Sequence, residues 1–262
     1  MILDLNIPNH AYLFGFIQAD GHLYAQTRQR GRLTVEISER DRPILEAFAS
    51  MIPVKSFLTC RERITNFGPI TTVIWRINDL AFRRELVALG LPYGKKSQKV
   101  GPPLVYSAHD FFRGWLDADG SVGLTAKGRP FLSLVTSSEA IANAYIAFVT
   151  RITGLRKVTS RNRRDGVFNI AMFCETAIKV ISTVYYGGCL ALPRKLLKVT
   201  DALAWSRPTS SPTYLGRQEW NEIEDQIVLS NSVNDAMRLL TRTEKSVRIR
   251  RWRLQYKSLQ GD

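Results

Sequence analysis

Hydrophobic and polar positions follow one another along the chain in an order that occurs twice. In both parts the pattern predicts a helix, two strands, a helix, two strands and a helix. The first part places these elements at residues 13–21, 22–37, 41–51, 55–64 with 70–77, and 79–89. The second part places them at residues 112–120, 121–135, 138–153, 156–162 with 167–173, and 175–186. The pattern predicts an α+β protein with two αββαββα halves, at residues 1–100 and 101–203.

The C-terminal part of the chain has a different pattern. Residues 204–217 are rich in Pro, Ser and Thr, which is typical of a linker. Beyond them, apolar residues recur at helical spacing in three short segments, near 218–229, 232–240 and 244–256. We therefore expect a small all-α domain at residues 218–262, with a basic third helix.

A short motif is shared by the two halves. Four residues recur with a shift of 99 positions: Gly15, Ala19, Asp20 and Gly21 return as Gly114, Ala118, Asp119 and Gly120. Because residues four apart lie on one face of a helix, the Gly and Ala let two helix backbones approach closely. If the two motif helices pack side by side, Asp20 and Asp119 end close together.

Two neighbouring carboxylates repel each other unless a divalent cation lies between them. A few hard oxygen ligands suit Mg²⁺, which keeps water ligands and takes others from phosphates. On a basic surface, such a pair indicates phosphodiester chemistry assisted by metal ions. The alternative is that both are ordinary surface acids at helix ends, which the duplication of the whole motif disfavours.

The overall charge points to a polyanionic partner. The chain has 37 Lys and Arg against 23 Asp and Glu, for a net charge of +14, which favours nucleic acid over an acidic membrane surface. The three cysteines form no CxxC, and the three histidines show no metal-ligand spacing, so a disulfide framework and a zinc ribbon are not expected. We expect an intracellular protein of a reducing compartment, without a membrane partner.

Alternation along the strands predicts a basic face, because successive side chains point to opposite sides. For a single residue a solvated sheet face is the simpler explanation, but the set as a whole favours contact with DNA bases and phosphates. The first half supplies Tyr24, Gln26, Arg28, Arg30, Arg32, Thr34, Arg61 and Arg63. The second half supplies Thr125, Lys127, Arg129, Ser133, Lys157, Thr159, Arg161 and Arg163.

The duplicated motif, at residues 13–21 (LFGFIQADG) and 112–120 (FRGWLDADG), resembles that of the LAGLIDADG homing endonuclease family. The resemblance covers about residues 5–203 and implies a pseudo-two-fold monomer whose two antiparallel sheets form a saddle over DNA. It further implies that Asp20 and Asp119, helped by the backbone carbonyls of Ala19 and Ala118, bind two or three Mg²⁺ ions. In the family Mn²⁺ substitutes for Mg²⁺, and Ca²⁺ supports binding without cleavage.

The resemblance also assigns two basic residues and an activity. Lys96 and Lys195, each 76 residues after its motif aspartate, match the family's lysines near the scissile phosphates, with Lys95 as a substitute for Lys96. Family members cut both strands of a long pseudo-palindromic target across the minor groove, leaving 3′ overhangs, and we expect this chain to be intron-encoded. This sequence departs from the family pattern at Gln18, where the second motif keeps Asp117, and at the Phe112-Arg113 opening of the second motif.

The C-terminal helices resemble a Myb/SANT-type helix-turn-helix unit. The resemblance rests on Trp220, Glu224, Asp225 and residues 242–254, and implies a recognition helix in the major groove. Its expected DNA contacts are Lys245, Arg248, Arg250 and Arg251. The alternative is a basic helix that packs on the core or improves solubility.

Two rival functions remain beside an endonuclease. The first is a non-cleaving or bifunctional nucleic-acid binder, such as an intron RNA maturase or a DNA-binding regulator. The second is a packaging protein, which is disfavoured because packaging requires charge but no duplicated acidic motif. The two intact aspartates favour cleavage.

Overall fold

The computed structural model describes residues 2–66, 68–208 and 220–258. The chain divides into two compact units, Met1–Arg207 and Pro208–Asp262. Most of the segment that the sequence analysis takes as a linker, residues 209–217, lies outside the described residues. None of the helices in the described part of the chain is long and apolar enough to cross a membrane.

The first half has the predicted order of elements. These are α1 (Pro8–Asp20), β1 (His22–Tyr24), β2 (Arg32–Ser38), α2 (Arg42–Met51), β3 (Ser56–Thr65), β4 (Gly68–Ile77) and α3 (Leu80–Ala88). The strands form one antiparallel sheet in the order β1-β2-β4-β3. One sheet face buries Leu33, Val35, Val73, Trp75 and Ile77, which alternate with polar residues on the other face.

The second half repeats this order with one strand fewer and one helix more. Its elements are α4 (Ala108–Asp119), β5 (Gly120–Leu124), β6 (Pro130–Thr136), α5 (Glu139–Thr153), β7 (Phe168–Phe173), α6 (Cys174–Val184) and α7 (Pro193–Leu203). The three strands form an antiparallel sheet in the order β5-β6-β7. The α+β class and the antiparallel sheets are confirmed.

The predicted strand at residues 156–162 is wrong. Backbone pairing of this segment with residues 167–173 is limited to a bridge between Arg161 and Phe168 and a hydrogen bond from the Asn162 amide to the Val167 carbonyl at 2.8 Å. Leu155, just before this segment, and Val158, its one large apolar residue, are 50% and 82% exposed. Because they bury little against the core, the segment gains too little to order as a strand.

The core of the first unit is continuous through both halves. Helices α1 and α4 cross its centre and bury aromatic side chains on both sides. Phe16 meets Phe48 of α2 with ring centroids 5.4 Å apart, and Phe112 meets Phe148 of α5 at 4.9 Å. Such aromatic contacts contribute about 1 kcal/mol each beyond the burial of area. The motif helices are therefore fixed by packing from both halves.

The C-terminal unit contains three described helices, α8 (Glu222–Ser230), α9 (Val233–Leu240) and α10 (Glu244–Ser258). Asn221 and Glu224 form a capping box at the start of α8, and the Ser232 side chain caps α9. The buried core is small and centres on Val228, Ala236 and Val247.

Candidate active site

The two motif helices touch backbone to backbone. A Cβ atom added to Gly15 would lie within 3.0 Å of the Phe111 carbonyl oxygen, and one added to Gly114 would lie within 3.0 Å of the Tyr12 carbonyl oxygen. Only glycine fits at these two positions, because any other side chain would push the helices apart. The close approach predicted from the repeated Gly is present.

Asp20 and Asp119 are the last residues of α1 and α4. Both side chains are exposed. Desolvation by the surrounding protein, followed by repulsion from Asp119, raises the pKa of Asp20 to about 6, against the opposing effect of nearby Lys96, Lys195 and Arg194. Desolvation also raises the pKa of Asp119. The chain therefore brings together two accessible carboxylates whose ionised forms are disfavoured in the protein alone, as expected of an incomplete cation site.

Two buried lysines lie beneath this pair. The Lys96 ammonium donates to the carbonyl oxygens of Gln18 and Ala19 at the end of α1. The Lys195 ammonium donates to the carbonyls of Leu116, Asp117 and Gly120 at 2.5, 2.6 and 2.9 Å. A positive charge at a helix C-terminus is favourable because the last carbonyls carry partial negative charge.

Burial lowers the pKa of both lysines to about 8, and nearby aspartates oppose the shift. Lys96 is 9% exposed and Lys195 is 4% exposed. Lys95, the substitute that the sequence left open, is exposed at the surface, whereas Lys96 reaches the end of the motif helix. The structure therefore favours Lys96 as the counterpart of Lys195.

The carbonyls assigned to the metal differ between the halves. The Ala19 carbonyl already accepts a hydrogen bond from Lys96. The Ala118 carbonyl is not among the three acceptors of Lys195. A metal role for these two carbonyls stays a prediction.

The position before each Ala-Asp pair also differs. In the second half, Asp117 is buried and accepts hydrogen bonds from the hydroxyls of Tyr12 and Tyr185 and from the Leu192 amide, all at 2.8 Å. In the first half, the Gln18 amide donates to the Gly101 carbonyl at 3.0 Å, and its buried oxygen has no partner among the described residues. Burial raises the pKa of Asp117. Because Asp117 bonds to Tyr12 of the first half and to Tyr185 of the second, it links the two halves away from solvent.

Sequence reasoning missed Arg194, which lies near Asp20. Its guanidinium Nε is 3.0 Å from both carboxylate oxygens of Asp41, a buried residue at the start of α2. The signal was weak: a basic residue precedes the buried lysine in both halves, as Lys95 and Arg194. The Asp41 pairing joins residues 153 positions apart, so no local pattern could show it.

The outer face of the first sheet, opposite its buried face, holds part of the predicted DNA set. Strand register places Tyr24, Arg32, Thr34, Arg61 and Arg63 there together. Arg76 and Glu36 share this face and were missed, although the alternation of β4 and β2 contained both.

Gln26, Arg28 and Arg30 do not continue this strand alternation, because β1 ends at Tyr24 and residues 28–30 form a 3₁₀ turn. The buried Arg83 side chain binds the turn by donating to the carbonyls of Gln26 and Arg28. Their predicted place on a strand is wrong for this reason. The basic side chains remain exposed beside the sheet.

In the second half, Ser133 lies on the outer face beside Ala171, while Thr125, Lys127 and Arg129 lie in the turn between β5 and β6. Lys157 instead donates to the Ala171 carbonyl at 2.6 Å.

Arg161 is on the opposite side from the outer face, with its guanidinium 4.6 Å from the centroid of the buried Phe168 ring. Thr159 and Arg163 lie in the segment that forms no strand. The predicted shared face of residues 157–163 is therefore wrong, because the strand that would have aligned them is absent.

Three of the four predicted contacts in the C-terminal unit have structural partners. Arg250 forms a bidentate ion pair with Asp225, in which both N–O distances are 2.6 Å. Arg251 donates hydrogen bonds to the Val228 and Asn231 carbonyls. Arg248 pairs with Glu244 on the same helix at 2.7 Å and is exposed, as is Lys245.

In the part of the chain that the structure describes, the two motif aspartates have no third acid placed to share a metal ion with them. Among the described residues, no group of three or more His, Cys, Asp or Glu side chains could hold a metal ion. A bound cation would therefore need further oxygen ligands from water, backbone or substrate.

Comparison with known structures identifies the fold. The homing endonuclease I-WcaI bound to its DNA recognition sequence matches 74% of this chain and 87% of its own, with a TM-score of 0.52 and 16% identity. This chain has the homing endonuclease fold. A variant of the homing endonuclease I-DmoI covers 74% of this chain and 97% of its own, with a TM-score of 0.49 and 15% identity. The LAGLIDADG homing endonuclease I-LtrWI bound to target DNA covers 74% and 88%, with a TM-score of 0.44 and 10% identity.

No protein-family model and no curated protein sequence matches the chain. At this level of identity the homing endonuclease fold is established, while the chemistry depends on the residues of this chain.

Proposed function

We propose that this protein is a site-specific double-strand DNA endonuclease that depends on Mg²⁺. The observation that carries the proposal is the pair of accessible aspartates, Asp20 and Asp119, at the joined ends of two helices that pack through Gly15 and Gly114. A basic outer sheet face lies in the same unit. Two carboxylates held near each other on a basic protein repel one another unless a cation lies between them.

The residues present fit a divalent ion. Carboxylate oxygens are the ligands that Mg²⁺ prefers, and an accessible pair leaves room for water and phosphate oxygens. When bound, the ion would stabilise charge on the phosphate and supply an activated water. Asp20 and Asp119 would hold it, and binding would favour their ionised forms, which the protein alone disfavours.

Lys96 and Lys195 would act from beneath the site. Each is held by carbonyls at a helix end, so its charge stays fixed near the two aspartates. A fixed positive charge stabilises negative charge that develops on a phosphate without having to reorient. Arg194, held by Asp41, adds a further charge beside Asp20.

The outer sheet face would bind the duplex. Arg, Thr and Tyr side chains on paired strands supply contacts to phosphates and base edges. We further propose that the enzyme acts as a monomer on a long pseudo-palindromic target, leaves 3′ overhangs, is encoded in an intron and works in a reducing compartment. The pseudo-repeat in one chain supports the first of these proposals, and the three free cysteines support the last.

A randomised or genomic pool of duplex DNA tests the proposal. The pool is incubated with the protein and Mg²⁺, and the new ends are sequenced. We expect discrete ends at one recurring sequence, and no ends when the metal ion is chelated. Random ends, or discrete ends that persist under chelation, would contradict it.

A second function is favoured by one observation. The Ala19 carbonyl accepts a hydrogen bond from Lys96, so one expected metal ligand is engaged within the protein. A chain that cannot complete its metal site would bind nucleic acid without cutting, as a DNA-binding regulator or an RNA maturase. In the pool experiment a DNA-binding regulator gives retained DNA and no new ends, and an RNA maturase gives retained RNA when an RNA pool replaces the duplex.

A further inference from the structure

One acidic side chain lies within the basic outer face of the first sheet. Glu36 is on β2, and strand register places it on the same face as Thr34, Arg61 and Arg63. A carboxylate on a surface that binds a polyanion lowers affinity, because it repels phosphates. We therefore expect Glu36 to have a role other than attracting DNA to this face.

Glu36 binds the two arginines of the edge strand. Its carboxylate is 2.6 Å from the Arg63 guanidinium and 4.0 Å from the Arg61 guanidinium. Strand β4 lies between β2 and β3, so both arginine side chains extend across a whole strand to reach it. Beneath them, the Thr72 hydroxyl donates to Glu36 at 2.8 Å and is almost completely buried.

The cluster is fixed but remains accessible. The side chains of Glu36, Arg61 and Arg63 are 29%, 53% and 41% exposed. A guanidinium has five N–H donors, and the ion pair with Glu36 engages only one edge of Arg63. Its remaining donors match the two acceptors that a guanine presents in the major groove.

An exposed ion pair of this kind adds little to stability, typically less than about 1 kcal/mol. Its effect on a bound duplex would be larger. A free arginine binds any phosphate, whereas one held at a fixed angle selects the base that matches its donors. The acid therefore lowers general affinity and raises discrimination.

We propose that Glu36 is a specificity-determining residue, which positions Arg61 and Arg63 to read guanine on the DNA strand facing β3. This role rests on the proposed function, since it requires a duplex on the outer sheet face. Glu36 contacts no reacting atom in this proposal and acts only by positioning the two arginines.

The full-length protein and its Glu36→Gln variant are compared on a randomised duplex pool without divalent metal ion, so that bound DNA stays intact. Sequencing of the bound fraction gives the base preference at each position. In the variant we expect the guanine preference to fall by about fivefold or more at one or two adjacent positions of one half-site. Affinity for random duplex and its salt dependence should both rise, because the released guanidinium groups bind phosphates.

Two further variants make the result specific. Glu62→Gln removes an acid from the same strand, between Arg61 and Arg63, but its side chain points to the opposite face, so the profile should not change. Arg63→Lys keeps the charge and loses the planar donor fork, so it should weaken guanine preference at the same positions as Glu36→Gln.

The outcomes separate this role from the proposed function. A wild-type protein that binds duplex without any base preference would overturn both. A wild-type preference that Glu36→Gln leaves intact would overturn the role of Glu36 alone. A fall in thermal stability of Glu36→Gln with an unchanged base profile would make Glu36 a purely structural residue and would also reject the proposal.

Discussion

The two halves of the first unit place the same motif in different surroundings. In the second half, the residue before Ala118 is Asp117, which is buried and fully engaged by two tyrosines and a backbone amide. In the first half the same position is Gln18, whose oxygen has no partner among the described residues. The position is therefore structural, while the aspartate two residues later is accessible in both halves.

The halves also differ in their sheets. The first half has four strands, and the second has three because residues 156–160 do not pair with β7. What both halves keep is the glycine contact, the terminal aspartate and the buried lysine. Features shared by two halves that differ elsewhere are the best candidates for function. The effect of substitutions in each half on the free energy of unfolding tests this comparison.

The glycine contact should be the least tolerant feature. In Gly114→Ala, the new methyl group would lie within 3.0 Å of the Tyr12 carbonyl and of the Phe16 amide. We expect a loss of about 3 kcal/mol in the free energy of unfolding, since neither backbone atom can move without separating the helices. Denaturant unfolding measures it. Gly187→Ala is the control, because its Cβ would meet no atom within 4 Å. Equal stability of the two variants would show that the helices do not touch.

Substitution of the buried Asp117 should cost less stability than Gly114→Ala. Asp117→Asn replaces one acceptor oxygen by a donor and leaves a tyrosine hydroxyl or the Leu192 amide unsatisfied. We expect a loss of about 2 kcal/mol in the free energy of unfolding. Gln18→Met, at the equivalent position, should cost only about 1 kcal/mol, because it removes the bond to the Gly101 carbonyl together with an oxygen that is already unpaired. Equal losses of unfolding free energy in the two variants would show that Gln18 and Asp117 are equally well bonded.

Substitution of the exposed Asp20 should raise the stability of the protein, whereas the substitutions above lower it. The pKa of Asp20 is about 6 in the folded protein against 3.8 ordinarily, so the folded state binds the proton more readily. Stability from this group therefore falls as pH rises from 3.8 to about 6. Asp20→Asn should raise the free energy of unfolding by about 1 kcal/mol above pH 6, after allowance for solvent screening, with a gain that shrinks toward pH 3.8.

Thermal melting across this pH range, with and without Mg²⁺, provides the measurement. Mg²⁺ should stabilise the wild-type protein and have less effect on the variant, since an ion that binds only the folded state raises its stability. Destabilisation by Asp20→Asn above pH 6 would contradict the proposal that the ionised Asp20 is unfavourable beside Asp119.

The unpaired segment of the second half should tolerate change best. Lys157→Ala removes one hydrogen bond, from its ammonium to the Ala171 carbonyl, at the edge of β7. We expect a change below about 0.5 kcal/mol in the free energy of unfolding, because the carbonyl can bind water instead. Hydrogen exchange should show fast exchange at residues 156–160 and protection in Ser56–Thr65. Equal protection would show that a fourth strand is present.

The sequence was most informative where the pattern is local and repeated. The motif predicted the helix ends at Asp20 and Asp119 and the close approach of Gly15 and Gly114, since spacing along a helix determines which residues share a face. It also placed Lys96 and Lys195, although burial was needed to prefer Lys96 over Lys95.

Long-range partners were beyond the sequence. Arg83 binds the turn at residues 28–30 from 55 positions away, and Arg194 binds Asp41 from 153 positions away. Neither contact leaves a periodic signal. The strand predicted at residues 156–162 failed because alternation is a weak guide when Val158 alone supplies an apolar side chain and stays exposed.

The most direct test of the account is cleavage of the identified target by Asp20→Asn and Asp119→Asn, each in Mg²⁺ and each compared with Asp201→Asn, an exposed acid of α7 outside the site. The account predicts that both motif variants stay folded, bind the duplex and produce no double-strand ends, whereas Asp201→Asn cuts as the wild type does. Double-strand cleavage by either motif variant would contradict the assignment of the paired aspartates as the catalytic centre.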